Sequence, residues 1–349
     1  MTRRARAGVA AAAAALLACS HGEPWGPPDL AANPFGSPPV RLTYNLPSEE
    51  APAWLPDGSA VGFSWQDPAR ADHDRCLAFL PPGLGRIERQ VCVRGIAEQD
   101  STSAVWAHGA SAGGRLAFVA ERSRTGSLVP AFRDLYVGKL DGSSFRRVLS
   151  FPYIAPSGQL HDAAIDLVWP DDSTLVYLAT YVLYIGGGPV RPDTQITTVE
   201  VVRIDLRGDS VAALSVVPGT TSVSSLALDA GTGAFYVTVY GSSRVFSLDL
   251  ATGQRSPVYD FAPLGEARDV QVAAGRLVAA VGGTSGFGAG AGGQIYAARL
   301  PDGAPVLLAD TAGGLVYRSL AIEPSGRRVV AEALPSFGRA TDLWLFEVP

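Results

Sequence analysis

Two stretches of this sequence have the residue spacing of known chemistry. Gly109-Ala110-Ser111-Ala112-Gly113, with His108 just before it, fits the G-x-S-x-G pattern that lifts a serine above a sheet for nucleophilic attack. That chemistry needs a strand ahead of the serine and a helix behind it, because their junction supplies the strained turn and the oxyanion hole. Here Val105-Trp106-Ala107 precedes and Leu116-Ala117-Phe118-Val119 follows, two strand-like runs that predict a hairpin turn. Gly288 to Gly293 fits the dinucleotide fingerprint, but a strand-like run follows where a phosphate-binding helix would begin, so a loop is expected. Asp72-His73-Asp74 and His161-Asp162 are the remaining clusters. His73 and His161 with Asp74 or Asp162 have the donor types for a divalent ion, but no spacing demands one. The reading is no metal site and no catalytic residue, with His73, His161 and Asp162 as the only metal candidates.

The covalent chemistry is more definite. Arg3, Arg4 and Arg6 precede an apolar run from Gly8 to Ala18, which is shorter than the ~20 residues of a membrane-spanning helix. The run ends in Leu16-Leu17-Ala18-Cys19, which resembles the lipobox of bacterial lipoproteins. That resemblance implies cleavage after residue 18 and a diacylglyceryl group on the Cys19 thiol. Ser20 in place of Asp points to the periplasmic side of the outer membrane. Residues 19–39 carry six prolines after the cysteine and form a tether, able to span roughly 60 Å if fully extended. Cys76 and Cys92 sit on apolar runs either side of Pro81-Pro82-Gly83-Leu84-Gly85. A hairpin centred on Leu84 sets them opposite each other, and an oxidising compartment favours a bridge worth on the order of 3 kcal/mol.

The elements that carry these residues follow from a repeat. A strand-and-turn phrase recurs five times: Leu135-Tyr136 to Gly142, Val201-Val202 to Gly208, Val245-Phe246 to Gly253, Ile295-Tyr296 to Gly303, and Leu343-Trp344 to Val348. A period of about 50 residues built from strands and tight turns predicts radial four-stranded blades. Six hairpins can be counted, the best being Ala53 to Ser64, where Pro56-Asp57-Gly58 makes the turn and Val61, Phe63 and Trp65 alternate. The last blade has three strands before the chain ends. Val40 to Leu46 alternates apolar and polar and is the expected fourth, closing the ring and covering an open edge. The expected fold is therefore an all-β, six-bladed β-propeller over residues 40–349, behind a leader at 1–18. Trp54, Trp106, Trp169 and Trp344 are expected at equivalent blade positions as packing between blades.

The phrase at 53 to 64, with Asp134-Leu135-Tyr136-Val137 to Gly142, resembles the TolB-type, WD-like β-propeller repeat family of bacterial envelope proteins. The family implies a β-propeller. In a propeller the connections between second and third strands share one face with the links between blades. Those connections are short in blade four (Gly241 to Arg244) and long in blades two (Glu121 to Arg133), three (Tyr184 to Thr198) and five (Gly282 to Gly293). Arg122, Arg124, Phe132, Arg133, Tyr184, Arg191 and Phe287 are the binding residues expected there. The carboxylates Asp162, Asp166, Glu266 and Asp269 fall near inner-strand starts, scattered over blades.

The function expected is a non-enzymatic, lipid-anchored envelope module that binds or scaffolds an envelope protein or peptide, as a monomer and without a cofactor. It meets the membrane through the lipid on Cys19 only. A net charge of −5, more negative without the leader arginines, argues against nucleic acid as a partner. The alternative is a lactonase-like or quinoprotein-like propeller enzyme with an axial metal.

Overall fold

The computed structural model describes residues 39–43, 49–66, 75–82, 87–92, 102–123, 130–152, 159–185, 194–208, 210–220, 222–282, 293–311, 315–335 and 341–349. At 66, 75, 102–106, 121–123, 130–133, 151–152, 159–165, 180–185, 194–198 and 335 it describes the backbone alone. The described residues form six four-stranded antiparallel sheets and no helix. Blade 1 holds β2 (Glu50–Trp54), β3 (Val61–Gln66), β4 (Arg75–Leu80) and β5 (Arg89–Cys92). Blade 2 holds β6 (Thr102–Ala110), β7 (Arg115–Ser123), β8 (Pro130–Lys139) and β9 (Arg146–Pro152). Blade 3 holds β10 (Gln159–Asp171), β11 (Thr174–Ile185), β12 (Thr194–Arg207) and β13 (Ser210–Val216). Blade 4 holds β14 (Val223–Asp229), β15 (Ala234–Val239), β16 (Arg244–Leu248) and β17 (Arg255–Asp260). Blade 5 holds β18 (Ala267–Ala273), β19 (Arg276–Val281), β20 (Gln294–Arg299) and β21 (Val306–Ala309). Blade 6 holds β22 (Leu315–Ile322), β23 (Arg328–Pro335) and β24 (Asp342–Glu347), and its outer strand is β1 (Val40–Arg41).

Six apolar cores alternate with the six blades, each fed by two neighbours, so the ring is closed. The alternation in each strand explains this. Val61, Phe63 and Trp65 of β3 face blade 6, while Gly62 faces blade 2. A Cβ at Gly62 would lie 2.9 Å from both the His108 and Phe79 rings, so only glycine lets the two blades approach. Closure is made as expected: Val40 and Arg41 pair with Leu345 and Trp344, and the Leu42 N–H donates to the Leu343 carbonyl. Tyr44 to Leu46 lie outside the described residues. Cys76 and Cys92 face each other across β4 and β5 and are joined by a disulfide. It ties a short outer strand to the blade.

Two expectations are corrected. The connections in blades two and three are shorter than the sequence predicts, because the hairpins run on beyond the blade body. Arg122 pairs with Phe132, Glu121 with Arg133, and Tyr184 with Gln195, so Arg122, Phe132, Arg133 and Tyr184 are strand residues rather than loop residues. Tyr181 to Ile185 and Ile196 to Val199 are rich in β-branched and aromatic residues, which sustain a ladder past the core. The tryptophans do not all share one position. Trp54 and Trp169 do: their indole N–H groups donate to the preceding blade, at Ala321 O (3.0 Å) and Gly109 O (2.9 Å). Trp106 lies earlier on β6, where the register slips, and Trp344 lies on a third strand.

Candidate functional site: the axial mouth

The innermost strand of every blade slips register against its second strand at the same height. The slips fall between Glu50 and Ala53, Val105 and Ala107, Ala163 and Leu167, Val223 and Ser225, Ala267 and Asp269, and Arg318 and Leu320. A bulge frees a backbone N–H from the ladder and turns it toward the neighbouring blade, where it needs an acceptor. Blades 3, 4 and 5 provide one from a side chain. The Leu226 N–H donates to Asp166 Oδ2 (2.8 Å), the Val270 N–H to Ser225 Oγ (3.1 Å), and the Leu320 N–H to Asp269 Oδ2 (2.5 Å). The Ser225 hydroxyl in turn donates to Asp269 Oδ1 at 3.0 Å. At the next step Pro52 has no N–H to offer, and Glu332, held by Arg318, accepts instead from the Ala51 N–H at 3.3 Å. His108 completes this arc. Its Nε2 lies 2.7 Å from the Ala51 carbonyl, which fixes Nε2 as the protonated nitrogen.

Asp166 and Asp269 thus meet across Ser225. Each is half-buried and bonded to the neighbouring blade. Burial pushes the Asp166 carboxyl up to about 8, with the Asp269 charge adding to it. Burial likewise raises Asp269, to about 6, against the hydrogen bonds from Leu320 and Ser225 that favour its charged form. Above this pair lies the rim formed by blades 4 and 5. The Gly241 N–H donates to Glu266 Oε1 (2.8 Å), Arg268 pairs with Glu266 (3.2 Å), and the Ala267 N–H donates to the Ser242 carbonyl (2.9 Å). Tyr240, in the β15–β16 connection, and Leu264, in the link from β17 to β18, are 40% and 39% exposed. The Tyr240 hydroxyl is pushed up to about 12, by desolvation first and then by the charges of Asp166 and Glu266.

The other sequence candidates fare differently. Ser111 sits in the β6–β7 turn, where its Oγ accepts from the Arg115 N–H at 3.1 Å. His108 points away from it, and burial drives that imidazole down to about 4. His108 and Ser111 do not pair; the Ser111 side chain is instead hydrogen-bonded to the Asp172 carboxylate, which lowers that carboxyl. His161 and Asp162 lie on β10 opposite Tyr181 and Thr180, with their side chains outside the described residues. His73, Asp74, Arg124, Arg191 and Phe287 lie outside them altogether. Among the described residues no three His, Cys, Asp or Glu side chains come together as metal ligands. Both Asp269 oxygens already accept hydrogen bonds, from Ser225 and from the Leu320 N–H.

The axial pair was legible in part. Asp166-Leu167-Val168-Trp169, Ser225-Leu226-Ala227-Leu228, Asp269-Val270-Gln271-Val272 and Ser319-Leu320-Ala321-Ile322 are four copies of one phrase, an acceptor followed by apolar residues. Reading the repeat on first strands instead of third strands exposes it.

The fold is that of a six-bladed β-propeller. Neither a family model nor a curated protein matches the sequence. Solved structures of similar shape include regucalcin, a calcium-binding protein from Agrobacterium tumefaciens (TM-score 0.53, 12% identity, covering 89% of this chain and 95% of that one). The gluconolactonase XC5397 from Xanthomonas campestris is similar at TM-score 0.51 and 15% identity, covering 88% of each chain. So is the PQQ-bound aldose sugar dehydrogenase from Streptomyces coelicolor, at TM-score 0.51 and 12% identity, covering 88% of this chain and 96% of that one. Likeness at these identities is a likeness of fold.

Proposed function

We propose that this chain is a lipid-anchored propeller of the bacterial envelope that binds a protein or peptide on the face around the axial mouth and breaks no bonds. The observation that carries this is the exposure of Tyr240 and Leu264 on the two segments that flank the Glu266–Arg268 ion pair, near axial groups already committed to neighbouring blades. An aromatic, an aliphatic and a charged pair on a rigid rim suit recognition of a polypeptide. Tyr240→Ala with Leu264→Ser is expected to reduce crosslinked capture of the partner from intact envelopes by at least about tenfold, one hot-spot equivalent. Both side chains are surface-exposed, so the melting temperature should stay near the parent's. Undiminished capture by the double variant would sink this face as the contact. The anchor is tested separately. Cys19→Ser is expected to abolish incorporation of labelled fatty acid, and persistent labelling would refute the lipobox.

A second reading is favoured by one observation, the raised Asp166 carboxyl beside Asp269, which keeps its proton near neutral pH. A protonated carboxyl beside an ionised one suits acid–base chemistry on a small polar molecule, such as the lactones and sugars named for two propellers of this shape. Lactone turnover that disappears in Asp166→Asn would establish it.

A further inference from the structure

The outer strand of blade 5, β21, is the edge of its sheet. The chain entering it, Ala304-Pro305-Val306-Leu307, is a run of apolar residues that are all exposed, Val306 by 47% and Leu307 by 46%. Proteins avoid such runs on their surface unless something covers them. The described chain starts beside this one. Pro39 is exposed and lines the same groove as Leu307, on the outer flank between blades 5 and 6. From Pro39 the sequence runs back twenty residues to Cys19, so a lipid on that thiol stays within roughly 60 Å of the flank. Confinement to that radius is an effective concentration on the order of millimolar, which populates a contact too weak to hold a free protein. Charge narrows the choice of surface. Asp302 and Asp310 bound the run with no basic residue between them, which suits zwitterionic rather than anionic lipid. The equally exposed Leu214 and Val216, at 49% and 43%, are on blade 3, across the ring from the point where the tether enters.

We propose that the flank formed by Ala304 to Leu307 and Pro39 lies on the surface of the bilayer that holds the lipid on Cys19. This contact rests on the lipid-anchored reading above and fixes how the body sits on its anchor. It is shallow for a physical reason. On its outer side β21 has no partner strand among the described residues, and unpartnered backbone N–H and C=O groups do not enter hydrocarbon. The flank therefore lies at headgroup level, where water and lipid esters satisfy the edge. Pro305 brings no N–H to be satisfied there. Because β1 and β21 are the outermost strands of their blades, the contact stands the propeller on its circumference. The axial mouth then opens along the membrane plane, toward a partner held at the same height, rather than into the lipid.

The test holds the chain on phosphatidylcholine vesicles that carry a photoreactive diazirine beside the headgroup, and maps the attached lipid along the protein. One sample is the chain purified from membranes with its own lipid. The other is the chain from Cys19 onward, coupled to a maleimide lipid through that thiol, since Cys76 and Cys92 are joined to each other. The expected result is at least about tenfold more label on the peptide carrying Ala304 to Leu307 than on the one carrying Leu214 and Val216. Val306→Ser with Leu307→Ser is expected to lower that label by about tenfold, and Leu214→Ser to leave it unchanged. All three side chains are about half exposed, so both variants should keep the parent melting curve. Label spread equally over the two flanks overturns the proposal. So does label concentrated on the peptides carrying Tyr240 and Leu264, which would turn the axial mouth into the bilayer. Label on the flank that falls as the protein is packed more densely also overturns it, by placing a second copy there. A native sample without lipid refutes the anchor alone, because the maleimide-held chain still decides the flank.

Discussion

Deleting Val40 to Leu46 from the mature chain is expected to lower its melting temperature by about 10 °C and to broaden the transition. Val40 and Leu42 are buried in the core shared by blades 6 and 1, beside Phe63, Trp65 and Leu343. Burial of two such side chains is worth roughly 3–6 kcal/mol, and at this chain length each kcal/mol moves the midpoint by about 2 °C. The deletion also removes hydrogen bonds that no other segment can replace. The Leu343 N–H donates to the Thr43 hydroxyl (2.9 Å), and Arg41 pairs with Asp342 (2.6 Å). The exposed edge of β24 would then be free to pair with another chain, so aggregation on heating is expected as well. A truncated chain that melts cooperatively at the parent temperature would contradict closure through this strand.

Asp269→Ala is expected to destabilise the fold by on the order of 3 kcal/mol, because it strands the Leu320 N–H and the Ser225 hydroxyl in a buried ring. The pH dependence of the axial pair has a definite sign. Unfolded aspartates titrate near 3.9, and both axial carboxyls are raised in the folded chain, so the folded state holds their protons more tightly. Stability from the pair is therefore greatest below the unfolded value and is lost as pH rises from about 4 toward 8. His108 works the other way. Its folded value of about 4 lies below the unfolded 6.5, so its contribution is present above about 6.5 and lost as pH falls toward 4. Asp166→Asn keeps an acceptor for the Leu226 N–H and removes the titration. Melting curves at pH 5 and pH 8.5 should show the variant gaining several degrees on the parent at the higher pH. A parent-minus-variant difference that is flat across this range would contradict a buried, proton-holding Asp166.

The architecture was legible because propeller blades repeat their punctuation. The Asp-Gly turns, the alternation in β3 and the unpaired last blade each rest on local chemistry, and each predicted a feature found in the structure. Cys76 and Cys92 were legible for the same reason, since a hairpin register fixes which residues face each other. The site was harder to see. Asp166, Ser225 and Asp269 lie in three blades, and only the bulges, which depend on inter-blade packing, turn the freed N–H groups toward them. The length of the β11–β12 hairpin was misjudged because nothing local to Tyr181 to Ile185 marks where the blade body stops. Tyr240 and Leu264 read as ordinary loop residues, since exposure is decided by neighbours distant in sequence.

The central claim is that the rim binds while the axis holds the ring together. Capture from intact envelopes by parent, Tyr240→Ala/Leu264→Ser and Asp166→Asn/Asp269→Asn chains tests it most directly, each chain first confirmed folded by its disulfide and melting curve. The account predicts that the rim variant loses at least about tenfold in capture and the axial variant retains it, with its changes confined to stability. Capture that survives the rim substitutions and is lost with the axial asparagines would contradict the account and move the working site into the channel.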